Sequence, residues 1–140
     1  MIREAITSDL EKIYEIGTHL HANYRDTTNL EKLLATGYFK LLVYQEKETI
    51  VGFLSYTEIE DTIDIVDIYV EENYRRQHIA SYLLDYMITN TKKTTKILLD
   101  VAVDNEPALK LYDKFGFNVI HTRQKYYEQT DAYVMERSTK

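Results

Sequence analysis

The 140-residue chain has no cysteine, one proline and four glycines. Without cysteine there is no disulfide frame, no thiolate metal site and no cysteine nucleophile. Such a chain suits a reducing compartment. So little proline and glycine argues against long flexible linkers, and no internal repeat or low-complexity segment interrupts the sequence. Residues 1–140 are therefore expected to form a single domain. Long apolar runs are missing too: none approaches the roughly 20 residues of a membrane span. Acidic residues enter MIREAITSDL too early for a signal peptide. The expectation is a cytoplasmic protein without membrane association. Positive charge is also scarce. Seventeen Lys and Arg face 23 Asp and Glu, for a net charge of −6. That disfavours sequence-independent nucleic-acid binding, which needs a basic face, and it is compatible with a cationic or amine-bearing substrate. Four scattered histidines give no metal-site pattern, so no metal is expected.

What is present reads as an ordered alternation of strands and helices. Ile2 to Ala5 is a short first strand. Ser8-Asp9-Leu10-Glu11 has the capping-box pattern. The helix that follows has Leu10, Ile13, Tyr14, Ile16 and Leu20 on one face. Thr28-Asn29-Leu30-Glu31 repeats the capping signal for a short helix to about Ala35, and Gly37 stops it. Phe39–Tyr44, Thr49–Ile59 and a strand beginning near Thr62 form a meander joined by the polar turns Gln45–Glu48 and Glu60–Asp61. Gly52 marks a bulge or a close approach.

The stretch Thr62–Leu84 organises the rest. Ile63, Ile65, Ile68, Tyr69 and Val70 read as strand. From Ile79 the period becomes helical, with Ile79, Leu83, Tyr86 and Met87 on one face and Tyr82 and Leu84 beside them. The junction Arg75-Arg76-Gln77-His78-Ile79-Ala80 supplies a loop and a first helical turn. A helix start offers unpaired N–H groups and positive dipole character, and arginine bonds phosphate in a bidentate manner. The basic stretch Thr91–Lys96 complements the helix C-terminus. Lys96–Val103 reads as a strand buried on both faces, with one acid, Asp100, inside it. The strand–helix–strand order implies a parallel crossover. Asp104 or Asn105 caps a further helix, with Pro107 in its first turn. Ala108, Leu111, Tyr112 and Phe115 face inward and Gly116 ends it. Phe117–Tyr127 and Ala132–Arg137 close the chain as two strands around Glu128–Asp131.

The junction Arg75–Ala80 resembles the acyl-CoA-binding motif [QR]-x-x-G-x-[GA] of the GCN5-related N-acetyltransferase (GNAT) superfamily. Arg75 and Ala80 match, and His78 stands in the place of the central glycine. A Cβ and a ring there enter space where the backbone approaches a pyrophosphate, which bears on cofactor affinity rather than on the fold. Asn105 to Phe117 is similar to the stretch N-x-x-A-x-x-L-Y-x-K-x-G-F at every named position. Arg123-Gln124-Lys125-Tyr126-Tyr127 followed by Asp131-Ala132 and Met135 resembles the ending of the RimI-like ribosomal-protein alanine N-acetyltransferases. The likeness is good over Val66–Met135 and poor over the first 40 residues.

The resemblance implies an α+β fold: a central mixed, mostly antiparallel sheet with two splayed parallel strands and about four helices. It implies direct acetyl transfer from acetyl-CoA to an amine, either a protein N-terminus or a small molecule. It maps Asp100 to the base and Tyr112 to the acid. The family's base is typically glutamate; aspartate is shorter by about 1.5 Å, which calls for a bridging water. An acid inside an apolar run is expected to be desolvated, a condition that suits a base. Backbone groups of Ile68, Tyr69 and Val70 would pair with pantetheine. Arg75, Arg76, Gln77, His78, Ile79 and Ala80 would hold the pyrophosphate, and Asn105 would lie near the pantetheine arm. Tyr126 and Tyr127 would line the acceptor groove. A non-catalytic module on the same fold, and core or capping roles for Tyr112 and Asn105, are the competing readings. The assembly is expected to be a monomer or a homodimer.

Overall fold

The computed structural model describes residues 1–91, 93–127 and 129–138. It divides into two compact units, Met1–Glu58 with Val66–Lys92, and Ile59–Ile65 with Lys93–Lys140. The strands β1 (Ile2–Glu4), β2 (Phe39–Glu46), β3 (Thr49–Ile59), β4 (Thr62–Val70), β5 (Lys96–Ala102), β6 (Asn118–Tyr127) and β7 (Thr130–Ser138) lie in the order β1-β2-β3-β4-β5-β7-β6, with β4–β5 the parallel pair of a mostly antiparallel sheet. This is the expected GNAT architecture. Lys92 in the basic exit and Glu128 in the final turn lie outside the described residues. Among the described residues no helix is long and apolar enough to cross a membrane.

The first unit contains β1 (Ile2–Glu4), a 3-10 turn at Thr7–Asp9, α1 (Leu10–Gly17), α2 (Tyr24–Thr27), α3 (Leu30–Ala35), β2 (Phe39–Glu46) and most of β3 (Thr49–Ile59). It also holds the second half of β4 (Thr62–Val70) and α4 (Ile79–Thr89). Alternation on β2 turns Phe39, Leu41 and Val43 toward one core, where they meet Leu10, Ile13, Tyr14 and Ile16 of α1 and Tyr24 of α2. Tyr14 ties the helices together. Its hydroxyl donates to Glu31 at 2.7 Å and accepts from the Leu30 N–H at 2.8 Å. Burial, then the Glu31 bond, raises that phenol above its ordinary value.

Both capping readings need correction. The Ser8–Glu11 box does not form, because the chain is already turning at Thr7 and Asp9 takes over. The Asp9 carboxylate accepts from the Ile6 N–H at 2.7 Å and receives Arg3 Nη1 and Nη2 at 2.7 and 3.0 Å. For α3 the cap is Asn29, which accepts from the Lys32 N–H, and not Thr28. The single turn α2 was not foreseen; its four residues are too short to show a period.

The Arg3 hydrogen bond is the main cause holding the Asp9 carboxyl below its usual range. A lowered carboxyl stabilises the fold fully above the unfolded value near about 3.9, and that contribution is lost as the pH falls through the lower folded value. Asp9→Asn should cost about 2 kcal/mol at neutral pH. Denaturant midpoints for parent and variant should converge only on acidification below that unfolded value, and equal midpoints at pH 7 would contradict the assignment.

The second unit contains the first half of β4, β5 (Lys96–Ala102), α5 (Glu106–Lys114), β6 (Asn118–Tyr127) and β7 (Thr130–Ser138). The parallel pairing joins Thr62, Ile63 and Asp64 to Lys96, Ile97 and Leu98, and goes no further. β5 then pairs with β7 along its whole length. The reading of β5 as buried on both faces is corrected. Ile97, Leu99 and Val101 are buried, while Leu98, Asp100 and Ala102 are partly open. β6 is an edge strand and is exposed throughout.

Candidate functional site

In the first unit the Arg75–Ala80 loop follows β4 and opens α4, as expected. His78 is the N-cap residue of α4, at φ 63°, ψ 19°. Arg76 is also left-handed, at φ 65°. Glycine would adopt this conformation freely; a residue with a Cβ gives up about 1 kcal/mol. The histidine thus holds a left-handed conformation that glycine would adopt freely. Left-handed residues at a turn can aim successive N–H groups into one concavity. No side chain caps α4, and its first turn holds no acidic residue. The loop thus fits an anionic pyrophosphate: unclaimed backbone donors, positive dipole character and two arginines.

Arg75 is less free than its sequence suggests. Its Nε donates to the Val70 carbonyl at 2.9 Å, and its guanidinium lies 5.5 Å from the Tyr69 ring centroid. The Tyr69 hydroxyl also bonds this guanidinium, so only part of it is left for a phosphate. β4 is held close to β3 by Gly52, where an added Cβ would lie 2.9 Å from the Tyr69 carbonyl oxygen. The glycine marks a close approach, one of the two readings its sequence allowed. A register shift also occurs opposite it, between Tyr44 and Gln45.

His19 and His21, by default surface or partly buried residues from the sequence, are exposed, and each meets a carboxylate. His19 Nδ1 lies 2.7 Å from Glu71 Oε1, which also accepts from the Tyr69 hydroxyl at 3.1 Å. His21 Nε2 lies 3.3 Å from Asp67 Oδ1. Burial, then Glu71, raises the Tyr69 phenol. Burial likewise raises the Asp67 carboxyl, against the pull of His21. Two histidine–carboxylate pairs thus join the segment after α1 to the end of β4. The partners are 46 and 52 residues apart in sequence, a separation that no local pattern reveals. His19, Tyr69, Glu71 and Arg75 line a cavity of about 540 Å³.

In the second unit Asp100 sits on β5 opposite Val134. Its Oδ1 receives Arg123 Nε at 3.1 Å, and its side chain is 31% exposed. The expected sealed, apolar setting is therefore corrected to a partly open one with a guanidinium partner. Arg123 also lies 5.3 Å from the Tyr126 ring centroid, so Asp100, Arg123 and Tyr126 form one cluster. Tyr126 and Tyr127 meet edge to face at 5.0 Å at the exposed end of β6. A bulge between Arg123 and Tyr127, with Lys125 at φ 49°, turns them there. Asp131 fixes that bulge by accepting from the Lys125 N–H at 2.8 Å. Tyr112 is buried on α5, with its ring 5.5 Å from Phe117. Asn105 caps α5 by accepting from the Ala108 N–H at 3.3 Å.

Comparison with known proteins gives these motifs their context. Over 71 residues the chain is 37% identical to N-alpha-acetyltransferase 50 of Danio rerio, a match covering 46% of this chain and 42% of that protein. The matched stretch thus spans less than half the length of that relative. The [ribosomal protein bS18]-alanine N-acetyltransferase of Escherichia coli K12 is 27% identical over 128 residues, 90% of this chain and 86% of that one. The structure of Arabidopsis thaliana Naa50 in complex with the bisubstrate analogue CoA-Ac-MVNAL superposes with a TM-score of 0.78 at 26% identity, covering 99% and 97% of the two chains. The model of the acetyltransferase (GNAT) family matches residues 3–117, most of the chain, and the chain belongs to the GNAT family.

Proposed function

We propose that this protein transfers an acetyl group from acetyl-CoA to a primary amine, and that the amine is a protein N-terminus. The observation that carries the reading is the loop before α4. His78 and Arg76 hold the left-handed turn there, and neither a side-chain cap nor an acidic side chain competes for the N–H groups of the first turn. In this reading Arg75, Arg76, Gln77, His78, Ile79 and Ala80 bind the pyrophosphate, while the backbone of Ile68, Tyr69 and Val70 and the side chain of Asn105 bind the pantetheine arm. The N-terminal acceptor is supported by the relatives named for N-alpha and ribosomal-protein alanine acetylation.

Acetyl-CoA supplies an activated acetyl thioester. An α-amine with an ordinary pKa of about 8 is mostly protonated at neutral pH, so the acceptor must lose a proton before it attacks. Asp100 takes that proton, directly or through a water, at the oxygen not held by Arg123. The N–C bond forms as the C–S bond breaks, Tyr112 gives its phenolic proton to the departing sulfur, and the second N–H proton shed as the amide forms returns to the Tyr112 phenolate through solvent, so that amide, CoA thiol and one proton result. Arg123 positions Asp100, and Tyr126 and Tyr127 contact the acceptor. The compartment we assign is the cytoplasm, where acetyl-CoA and nascent N-termini meet.

The test is a thiol-release assay with acetyl-CoA across N-terminal peptides and small amines. The reading predicts kcat/KM at least roughly tenfold higher for the best peptide than for the best polyamine or amino acid. The reverse order would assign a small-molecule acceptor. No turnover with any amine would favour a non-catalytic module.

A further inference from the structure

We propose that the first unit carries a second binding site, for a small quaternary ammonium compound, at the C-terminal end of α4. A cavity of about 420 Å³ lies there, lined by Tyr44 of β2 and by Tyr82, Asp85, Tyr86 and Thr89 of α4. The helical residues follow the spacing i, i+3, i+4, i+7 and so share one face. Tyr82 had been placed beside the buried stripe of α4, yet it is 51% exposed. The helix spends two tyrosines on this face, and a third comes from β2.

Charge decides which ligand suits the cavity. Asp85 is exposed and makes no hydrogen bond or ion pair among the described residues. The last turn of α4 holds no basic side chain, and its Tyr86 and Met87 carbonyls accept from the Asn90 side chain and the Thr91 hydroxyl. The positive group on the lining is the Met1 amino group, which donates to the Gln45 carbonyl at 2.9 Å. An unpaired carboxylate and three tyrosine rings favour a cation. A primary ammonium would need several directed acceptors in place of its water. A quaternary ammonium is weakly hydrated, presents methyl groups to aromatic rings and the Ile2 side chain, and needs only the field of Asp85. Its nitrogen has no lone pair and cannot be acetylated, so the site stands apart from the acceptor chemistry proposed above.

The experiment is an amide NMR titration of the ¹⁵N-labelled full chain with choline, without acetyl-CoA. The neutral isostere 3,3-dimethyl-1-butanol, and choline added to Asp85→Asn and to Tyr82→Ala, serve as comparisons. Saturable shifts at Tyr44 and across Tyr82–Asn90 are expected, with a dissociation constant in roughly the millimolar range. The isostere and both variants should bind at least about fivefold more weakly. Both substitutions are at exposed positions, and their unperturbed spectra elsewhere would report an intact fold. The proposal is overturned if choline gives no saturable shifts, if its shifts centre away from α4, if the isostere binds equally well, or if Asp85→Asn leaves the affinity unchanged.

Discussion

Tyr112→Phe is expected to lower kcat by roughly 100-fold while leaving the dissociation constant for acetyl-CoA nearly unchanged. The substitution deletes one oxygen and keeps the ring that packs 5.5 Å from Phe117. An unchanged affinity for acetyl-CoA beside a lowered kcat is what separates a chemical role from a structural one. A proton donor for the departing sulfur acts in the transition state and not in the bound ground state, so its loss falls on kcat and kcat/KM together. Single-turnover measurements at saturating acetyl-CoA would show the effect directly. An unchanged kcat would remove Tyr112 from the reaction and leave it as core.

The largest stability effect is expected at Gly17. An added Cβ would sit 2.4, 2.6 and 2.8 Å from three ring atoms of Tyr24. That ring is 2% exposed and lies between Tyr14 and Phe53, at centroid distances of 6.3 and 5.9 Å. It has nowhere to move without opening the core of the first unit. Helix propensity acts in the opposite direction, since alanine is better than glycine inside a helix by up to about 1 kcal/mol. Overpacking of this severity costs about 3 kcal/mol, so the clash wins. Gly17→Ala should lower Tm by roughly 10 °C. Tyr24→Leu in the same chain should recover part of that loss by vacating the contact. A Gly17→Ala protein as stable as the parent would mean that Tyr24 is not fixed where the structure has it.

Much of the fold was legible because its signals are local. The β3 limits Thr49–Ile59, the helix start at Ile79 and the stops at Gly37 and Gly116 follow from period changes and turn residues. Both of those glycines have φ of 86°. Gly17 was not singled out, because its partner lies seven residues on across a bend and no periodicity marks it. The capping error arose in the same way. Ser8 has the right spacing to Glu11, but Asp9 has the stronger partner, Arg3, on the neighbouring strand. Asp100 was placed on the correct strand, yet its exposure and its guanidinium depend on Arg123, which the β5–β7–β6 pairing brings from 23 residues away. For the loop, sequence alone counted His78 as a departure from the motif. The backbone torsion adds what the motif could not: His78 reaches a left-handed conformation, open to glycine without strain, at modest cost.

The most direct test of the account is calorimetric titration of the purified full chain with acetyl-CoA, with His78→Gly measured alongside. The account predicts saturable micromolar binding by the parent, because the turn at His78 already has the shape that presents the α4 N–H groups to a pyrophosphate. His78→Gly should bind at least as well. A parent that gives no binding heat at millimolar acetyl-CoA, with affinity appearing only in His78→Gly, would contradict it: the histidine would then block the phosphate site, and the protein would be a GNAT fold without the transferase reaction.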